Sequence, residues 1–199
     1  HLEDTRVQSH AETHAGFEPS AVRLPTFQNL TTEAFAHLKQ ARDGDICLFY
    51  YSGHGSTMTA PEEFRGSKSK LQNETIVCVD SRTGARDLID KEIAFLLWDA
   101  LQGKNVHCIV IMDCCFAGNN TRAAEVDSLI GYRHTSDSKQ QISLQQYLGY
   151  DQGFYSPKPG GGVGIKIAKY VQLAASMDNQ TAQETSSEGG LFTSKLLEV

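Results

Sequence analysis

The chain has 199 residues, of which 40% are hydrophobic and 21% charged, with a formal net charge of −6. That length holds one domain with a real core, and the composition is that of a soluble globular protein. The acidic balance and the lack of a basic cluster argue against a nucleic-acid surface. No apolar run approaches the roughly 18 residues of a membrane span, and His1 to Gly16 has no signal-peptide pattern.

Residues 1–27 show no clear period. His10 and His14 have i, i+4 spacing but no third metal ligand, so they read as surface histidines. Residues 31–42 predict a helix capped by Thr31, with Phe35 and Leu38 on one face and Gly44 ending it. Residues 45–51, DICLFYY, predict a buried strand, and residues 53–70, rich in Gly, Ser, Thr and Lys, a substrate-facing loop. A short strand is expected over 75–79. Asp90 is expected to cap a helix over 91–101 that buries Ile93, Leu96, Leu97, Ala100 and Leu101. The apolar run 106–112 predicts the next strand, and strand, helix, strand implies a right-handed parallel crossover. Residues 119–164 form a long insert, low in apolar content, of the kind that is functional or disordered. The glycines of its tail, 157–162, match no phosphate-loop pattern. A last strand is expected over 167–174 and a helix over 190–199. The first helix has no strand before it and the last runs to the final residue. One edge of the sheet is therefore expected outside this sequence, and the natural protein is expected to extend at both ends.

The five cysteines point to a reducing cytoplasm and to no zinc site. Cys47, Cys78 and Cys108 sit in apolar runs and read as core thiols, and adjacency makes an ordinary disulfide between Cys114 and Cys115 unfavourable. Four N-x-Thr sequons are taken as chance. Two strands end in chemistry. One runs into Ser52-Gly53-His54-Gly55, the other into Asp113-Cys114-Cys115. The carboxyl ends of parallel strands are where such folds place ligands. A thiol attacks once a neighbouring imidazole has taken its proton, and the oxyanion that results needs backbone N–H donors. His54 is assigned as base, Cys115 as nucleophile, and the amides of Gly55 and Cys115 as oxyanion donors. The alternative is a turn histidine and an inert buried thiol.

Tyr51 to Gly55, YSGHG, and Asp113 to Gly118, DCCFAG, resemble the two signatures of caspase-like cysteine peptidases, in the metacaspase and bacterial orthocaspase branch. Further similarity lies in Asp80-Ser81-Arg82, Asp87 to Glu92, Asp178 to Ala182 and Gly190 to Thr193. The resemblance implies an α/β fold in three layers, α/β/α, with a twisted, mainly parallel sheet flanked by helices. It makes Cys115, not Cys114, the nucleophile; Phe116 and Ala117 stand where many relatives carry His and Ser.

Caspases that cut after Asp resemble one another in a Gln two residues before the nucleophile and in substrate-holding arginines. Asp113 takes that Gln position here, and Asp178 follows the last strand. The resemblance implies a pocket of Asp113, Ser52 and Asp178 that draws Arg first and Lys second. Asp113 also reads as a strand-end acid capping local amides, and Asp178 as a turn former. The aspartate clusters that bind calcium in many metacaspases have no counterpart: Glu62 and Glu63 follow the histidine loop and Arg122 follows Cys115, so no metal or other cofactor is expected. The insert carries Arg122, Arg133, Lys139 and Lys158, and self-cleavage is expected at Arg133 or Lys139, an inert surface loop being the alternative. The expected partner is a polypeptide substrate, with further domains or a regulator in the longer protein, and the chain is expected to be a monomer. Other readings are a caspase-fold scaffold without turnover, an Asp-specific peptidase, and an acyl transferase or ligase using the same thioester.

Overall fold

The computed structural model describes residues 23–64, 72–115, 135–176, 182–185 and 189–198, and 130–132 by their backbone. The elements in order are α1 (Phe27–Thr32), α2 (Ala36–Lys39), β1 (Ile46–Ser52), β2 (Gly55–Thr59), β3 (Gln72–Ile76), β4 (Leu88–Ile89), α3 (Asp90–Leu101), β5 (His107–Asp113), β6 (Ile130–Tyr132), β7 (Tyr155–Pro157), β8 (Val163–Ile165), β9 (Val171–Ala174), β10 (Gln183–Thr185), β11 (Gly189–Gly190) and α4 (Leu191–Leu197).

A parallel sheet in the order β1-β5-β9 forms the centre. On one face β1 contributes Cys47 and Phe49 and β5 contributes Cys108, Val110 and Met112, all buried. Helices α2 and α3 cover this face. Phe35 stacks on Phe49 at 4.7 Å between centroids, and Ile93, Leu96, Leu97, Ala100 and Leu101 of α3 are buried as their spacing predicts. Each of the Ile, Leu and Phe side chains contributes about 1.5–3 kcal/mol on burial. On the opposite face Ile46, Leu48 and Tyr50 are exposed, so β1, apolar on both faces as a buried parallel strand is, is covered on one face here. Among the described residues the start of α4 stands there, where the Thr193 hydroxyl hydrogen-bonds the Tyr50 hydroxyl at 2.7 Å.

Several expectations are corrected. The first helix begins earlier and is split in two. Thr26, not Thr31, is its cap, with its side chain accepting from the Asn29 N–H, while the Thr31 hydroxyl donates back to the Phe27 carbonyl inside the helix. The expected loop 53–70 contains β2, which pairs antiparallel with β3, and β3 pairs with β4. β2 is polar in sequence, yet Ser56 and Thr57 are buried because their hydroxyls reach the Ser136 carbonyl at 2.9 Å and the Asp137 carboxylate at 2.6 Å. The parallel partner of β5 is therefore β1, not the strand just before α3, which lies in a separate antiparallel sheet.

Residues 135–164 of the insert are packed rather than loose. Tyr147, Phe154 and Tyr155 join the core, and Phe154 meets Phe95 and Trp98 of α3 at 5.4 and 5.5 Å. The glycine-rich stretch is the turn of the β7–β8 hairpin, with Gly160, Gly161 and Gly162 at positive φ. The Glu92 carboxylate fastens the insert to α3 through the Leu148 N–H and is neutralised by Arg86. Arg86 grips Glu92 with two hydrogen bonds of 2.6 Å, and the fully buried Glu92 carboxylate also accepts the N–H groups of Ile89 and Leu148. Glu92→Ala leaves the half-buried Arg86 guanidinium and two amides without this acceptor. It is expected to lower stability by about 3–5 kcal/mol, measured as a fall in the urea midpoint. An unchanged midpoint would show that the clamp carries no weight.

Candidate active site

The register of the central sheet builds the site. β1 and β5 are parallel and in step, with Ser52 opposite Asp113 at their carboxyl ends. The pairing carries one step further through the Gly53 N–H, which donates to the Asp113 carbonyl at 3.2 Å. His54 and Cys115 each lie two residues past that last rung, so both leave the sheet at the same rim. Gly55 then turns into β2 with its Cα against the backbone of Cys115. An ideal Cβ there would stand 1.6 Å from the Cys115 carbonyl oxygen.

The backbone of His54 is held from two sides. Its carbonyl accepts the Val77 N–H at 3.0 Å and the Tyr51 hydroxyl at 2.9 Å. The side chain of His54 is exposed. Gly55 sends its carbonyl away from β3 to the Thr135 N–H at 3.1 Å. Residues alternate their hydrogen-bonding side along an antiparallel strand, so the Gly55 N–H points the same way.

The thiol of Cys115 is fully buried. Its sulfur accepts the Ala182 N–H at 2.8 Å and donates to the Ala182 carbonyl at 3.1 Å. That carbonyl suits a protonated sulfur and would repel an anionic one. Cys47, Cys78, Cys108 and Cys114 are buried and unbridged as well. Burial pushes the Cys78 thiol up to about 12 and the Cys108 thiol up to about 11, which suits core residues rather than nucleophiles.

Asp113 has no exposed surface. Its carboxylate accepts the Thr193 N–H at 3.2 Å and the Thr193 hydroxyl. Thr193 lies in the first turn of α4, so the acid sits at a helix N-terminus, where a negative charge is favoured. By strand alternation Ser52 and Asp113, register partners, point to the same face. The structure thus brings together His54, Gly55, Cys115, Ser52 and Asp113. Lys139 stands apart, exposed, beyond Ser138, whose N–H donates to the Thr57 carbonyl in the middle of β2. Asp178, Arg122 and Arg133 lie outside the described residues.

Sequence reasoning assigned no role to Ala182, Thr193, Tyr51 or Thr135. The segments holding Ala182 and Thr193 carried a family resemblance, and that was the available signal. Grooves of about 640 and 690 Å³ lie beside residues 59–63 and along the β7–β8 hairpin, and neither is lined by His54 or Cys115. The Cys115 sulfur is instead met by the chain's own residue 182.

A family model described as the caspase domain matches residues 7–199. Metacaspase-2 of Trypanosoma brucei brucei is 30% identical over 102 residues, 51% of this chain and 27% of that protein. Metacaspase-1 of Arabidopsis thaliana is 24% identical over 170 residues, 85% of this chain and 41% of that protein. The chain spans less than half the length of these curated relatives. Among solved structures, protein GSU0716 from Geobacter sulfurreducens is similar with a TM-score of 0.54 at 21% identity, covering 88% of this chain and 62% of that one, a likeness of fold.

Proposed function

The chain belongs to the caspase-domain family, and on that footing we propose that it is a cysteine endopeptidase that cuts after Arg, and second after Lys, through His54 and Cys115. The observation that carries the reading is the shared rim: two strands in register deliver the imidazole and the thiol, and Gly55 lies on the backbone of Cys115. His54 takes the thiol proton, the sulfur adds to the scissile carbonyl, and the amides of Gly55 and Cys115 receive the oxyanion. The proton passes to the leaving amine, and water then hydrolyses the thioester.

Specificity rests on charge. A buried carboxylate at residue 113, beside Ser52, attracts a guanidinium or ammonium and repels an acidic side chain. Asp178 is proposed as a second pocket acid. The same reading includes self-processing within the insert, a monomeric enzyme acting on polypeptides, and activity without calcium. Among the described residues no three His, Cys, Asp or Glu side chains gather into a cation site. Among the described residues no helix is long and apolar enough to cross a membrane.

One observation favours a second reading, a caspase-fold module without turnover: the sulfur is engaged by both backbone groups of Ala182. A fluorogenic Arg peptide assayed beside an Asp peptide, with Cys115→Ala as control and with and without a chelator, separates the readings. Turnover of the Arg peptide by the wild type alone, unchanged by the chelator, is expected. Turnover of the Asp peptide alone would overturn the pocket, loss of rate with chelator the calcium independence, and no turnover at all the enzyme.

A further inference from the structure

Two successive tyrosines lie near the end of β1, and alternation sends them to opposite faces. The Tyr51 hydroxyl donates to the carbonyls of His54 and Val77 at 2.9 and 3.2 Å, on the histidine side of the site. Tyr50 shares its face with Ser52 and with Asp113, which Ser52 opposes across the register. From that face its hydroxyl reaches the Thr193 hydroxyl of α4 at 2.7 Å. Thr193 in turn meets Asp113 twice. Both contacts, from its N–H at 3.2 Å and from its hydroxyl, fall on one carboxylate oxygen, Oδ2. The three residues step inward: Tyr50 is 43% exposed, Thr193 is half-buried and Asp113 has no exposed surface.

The chemistry gives this relay a direction. A carboxylate only accepts, so the Thr193 O–H points at Asp113. The Thr193 oxygen is left with lone pairs alone, so the Tyr50 O–H is the donor between the two hydroxyls. Hydrogen bonds in such a series polarise one another. Two bonds from one residue to a single oxygen also fix the carboxylate about its last torsion, which is otherwise broad. The plane so fixed matters to only one of the two basic side chains. A guanidinium is a flat fork that binds a carboxylate edge-on, whereas an ammonium is a compact charge with three rotatable donors.

We infer that Tyr50 and Thr193 are positioning residues for specificity: the relay from Tyr50 through Thr193 holds the Asp113 carboxylate in the plane that a guanidinium needs, and so sets the preference for Arg over Lys. This rests on the peptidase reading with Asp113 as the pocket acid. Both residues act through Asp113, and neither carries the charge that draws a basic side chain. Their effect therefore falls on how tightly the Arg side chain is held, which moves KM rather than kcat. It is also selective, because a Lys side chain is held by charge and loses less. Removing the Tyr50 hydroxyl leaves its ring, the bond from the Thr193 N–H and the Asp113 charge in place.

Variants of the full chain, assayed with Arg and Lys peptides that are otherwise identical, test this. In Tyr50→Phe the Arg-to-Lys ratio of kcat/KM is expected to fall about three- to ten-fold, as for the loss of one hydrogen bond, through a higher KM for Arg. Thr193→Val, which loses the bond to the charged group, should lower the ratio by about ten-fold or more. Thr193→Ser keeps the hydroxyl and should keep the wild-type ratio. The two sites act in series, so adding Tyr50→Phe to Thr193→Val should lower the ratio no further. Four results would overturn the inference and leave the peptidase standing. They are an unchanged ratio in Tyr50→Phe, equal losses for Arg and Lys, a Thr193→Ser enzyme as impaired as Thr193→Val, or additive losses in the double variant. Asp113→Asn, run beside them, tells the two readings apart. If it keeps the full preference for Arg over an uncharged residue, Asp113 is not the pocket acid and the inference falls with it. A chain that turns over no Arg peptide fails at the peptidase reading, and the inference falls there too.

Discussion

Gly55→Ala is expected to lower kcat/KM for an Arg peptide by about 100-fold or more, because a misplacement of about 1 Å at a reacting group costs that much. The added methyl would stand 1.6 Å from the Cys115 carbonyl oxygen and 2.6 Å from its carbon. Both are backbone atoms, so no side chain can rotate away. Either β2 or the backbone of Cys115 shifts, and each of the proposed oxyanion amides belongs to one of these two segments. The fold survives, since overpacking typically costs about 1–3 kcal/mol. Gly53→Ala is the contrast. Its methyl would meet the Tyr51 hydroxyl at 2.6 Å, a side chain that can turn aside, though at the expense of its bonds to the His54 and Val77 carbonyls. Steady-state kinetics beside a circular-dichroism melt checks the pair. A fully active Gly55→Ala enzyme would remove Gly55 from the chemistry.

Asp113→Asn is expected to cost the Arg peptide about 30-fold or more in kcat/KM, since truncating one partner of a buried charge pair costs about 2–5 kcal/mol. The loss should be larger for Arg than for an uncharged residue at the same place, because only the charge has changed. Asp113 has a second task that the same substitution measures. It accepts from Thr193 in the first turn of α4, and a neutral amide there weakens the favourable interaction with the helix terminus by about 0.3–1 kcal/mol. The melting temperature should therefore fall slightly. A lower melting temperature with undiminished preference for Arg would mean that Asp113 caps α4 and does not select substrate. Thr193→Val separates the two roles from the other side: it removes the hydroxyl contact and leaves the carboxylate.

Other parts of the molecule bear on how much a linear reading can see. β1 and β5 were legible because each is a dense apolar run that ends abruptly in polar residues with glycine close behind. The face of α3 was legible because its buried residues recur at helical spacing, and all five expected ones are buried. β2 was not legible. Its Ser and Thr are typical of loops, and their burial depends on hydroxyl partners at Ser136 and Asp137, some eighty positions away in the chain. The insert misled for the same reason. It is polar on average, while Tyr147, Phe154 and Tyr155 find the aromatic side of α3 only once the chain has folded.

The order of residues alone determined which groups stand at the ends of β1 and β5, because a run of apolar residues closed by glycine dictates strand and turn locally. It therefore named His54, Gly55, Asp113 and Cys115. What covers and tunes those groups was decided by tertiary structure: Thr193 on the Asp113 carboxylate, Ala182 on the Cys115 sulfur, β6 laid along β10. Those contacts join segments roughly fifty to eighty residues apart through backbone N–H and carbonyl groups. Every residue but proline carries both groups, so no local pattern of side chains announces which partner they will find.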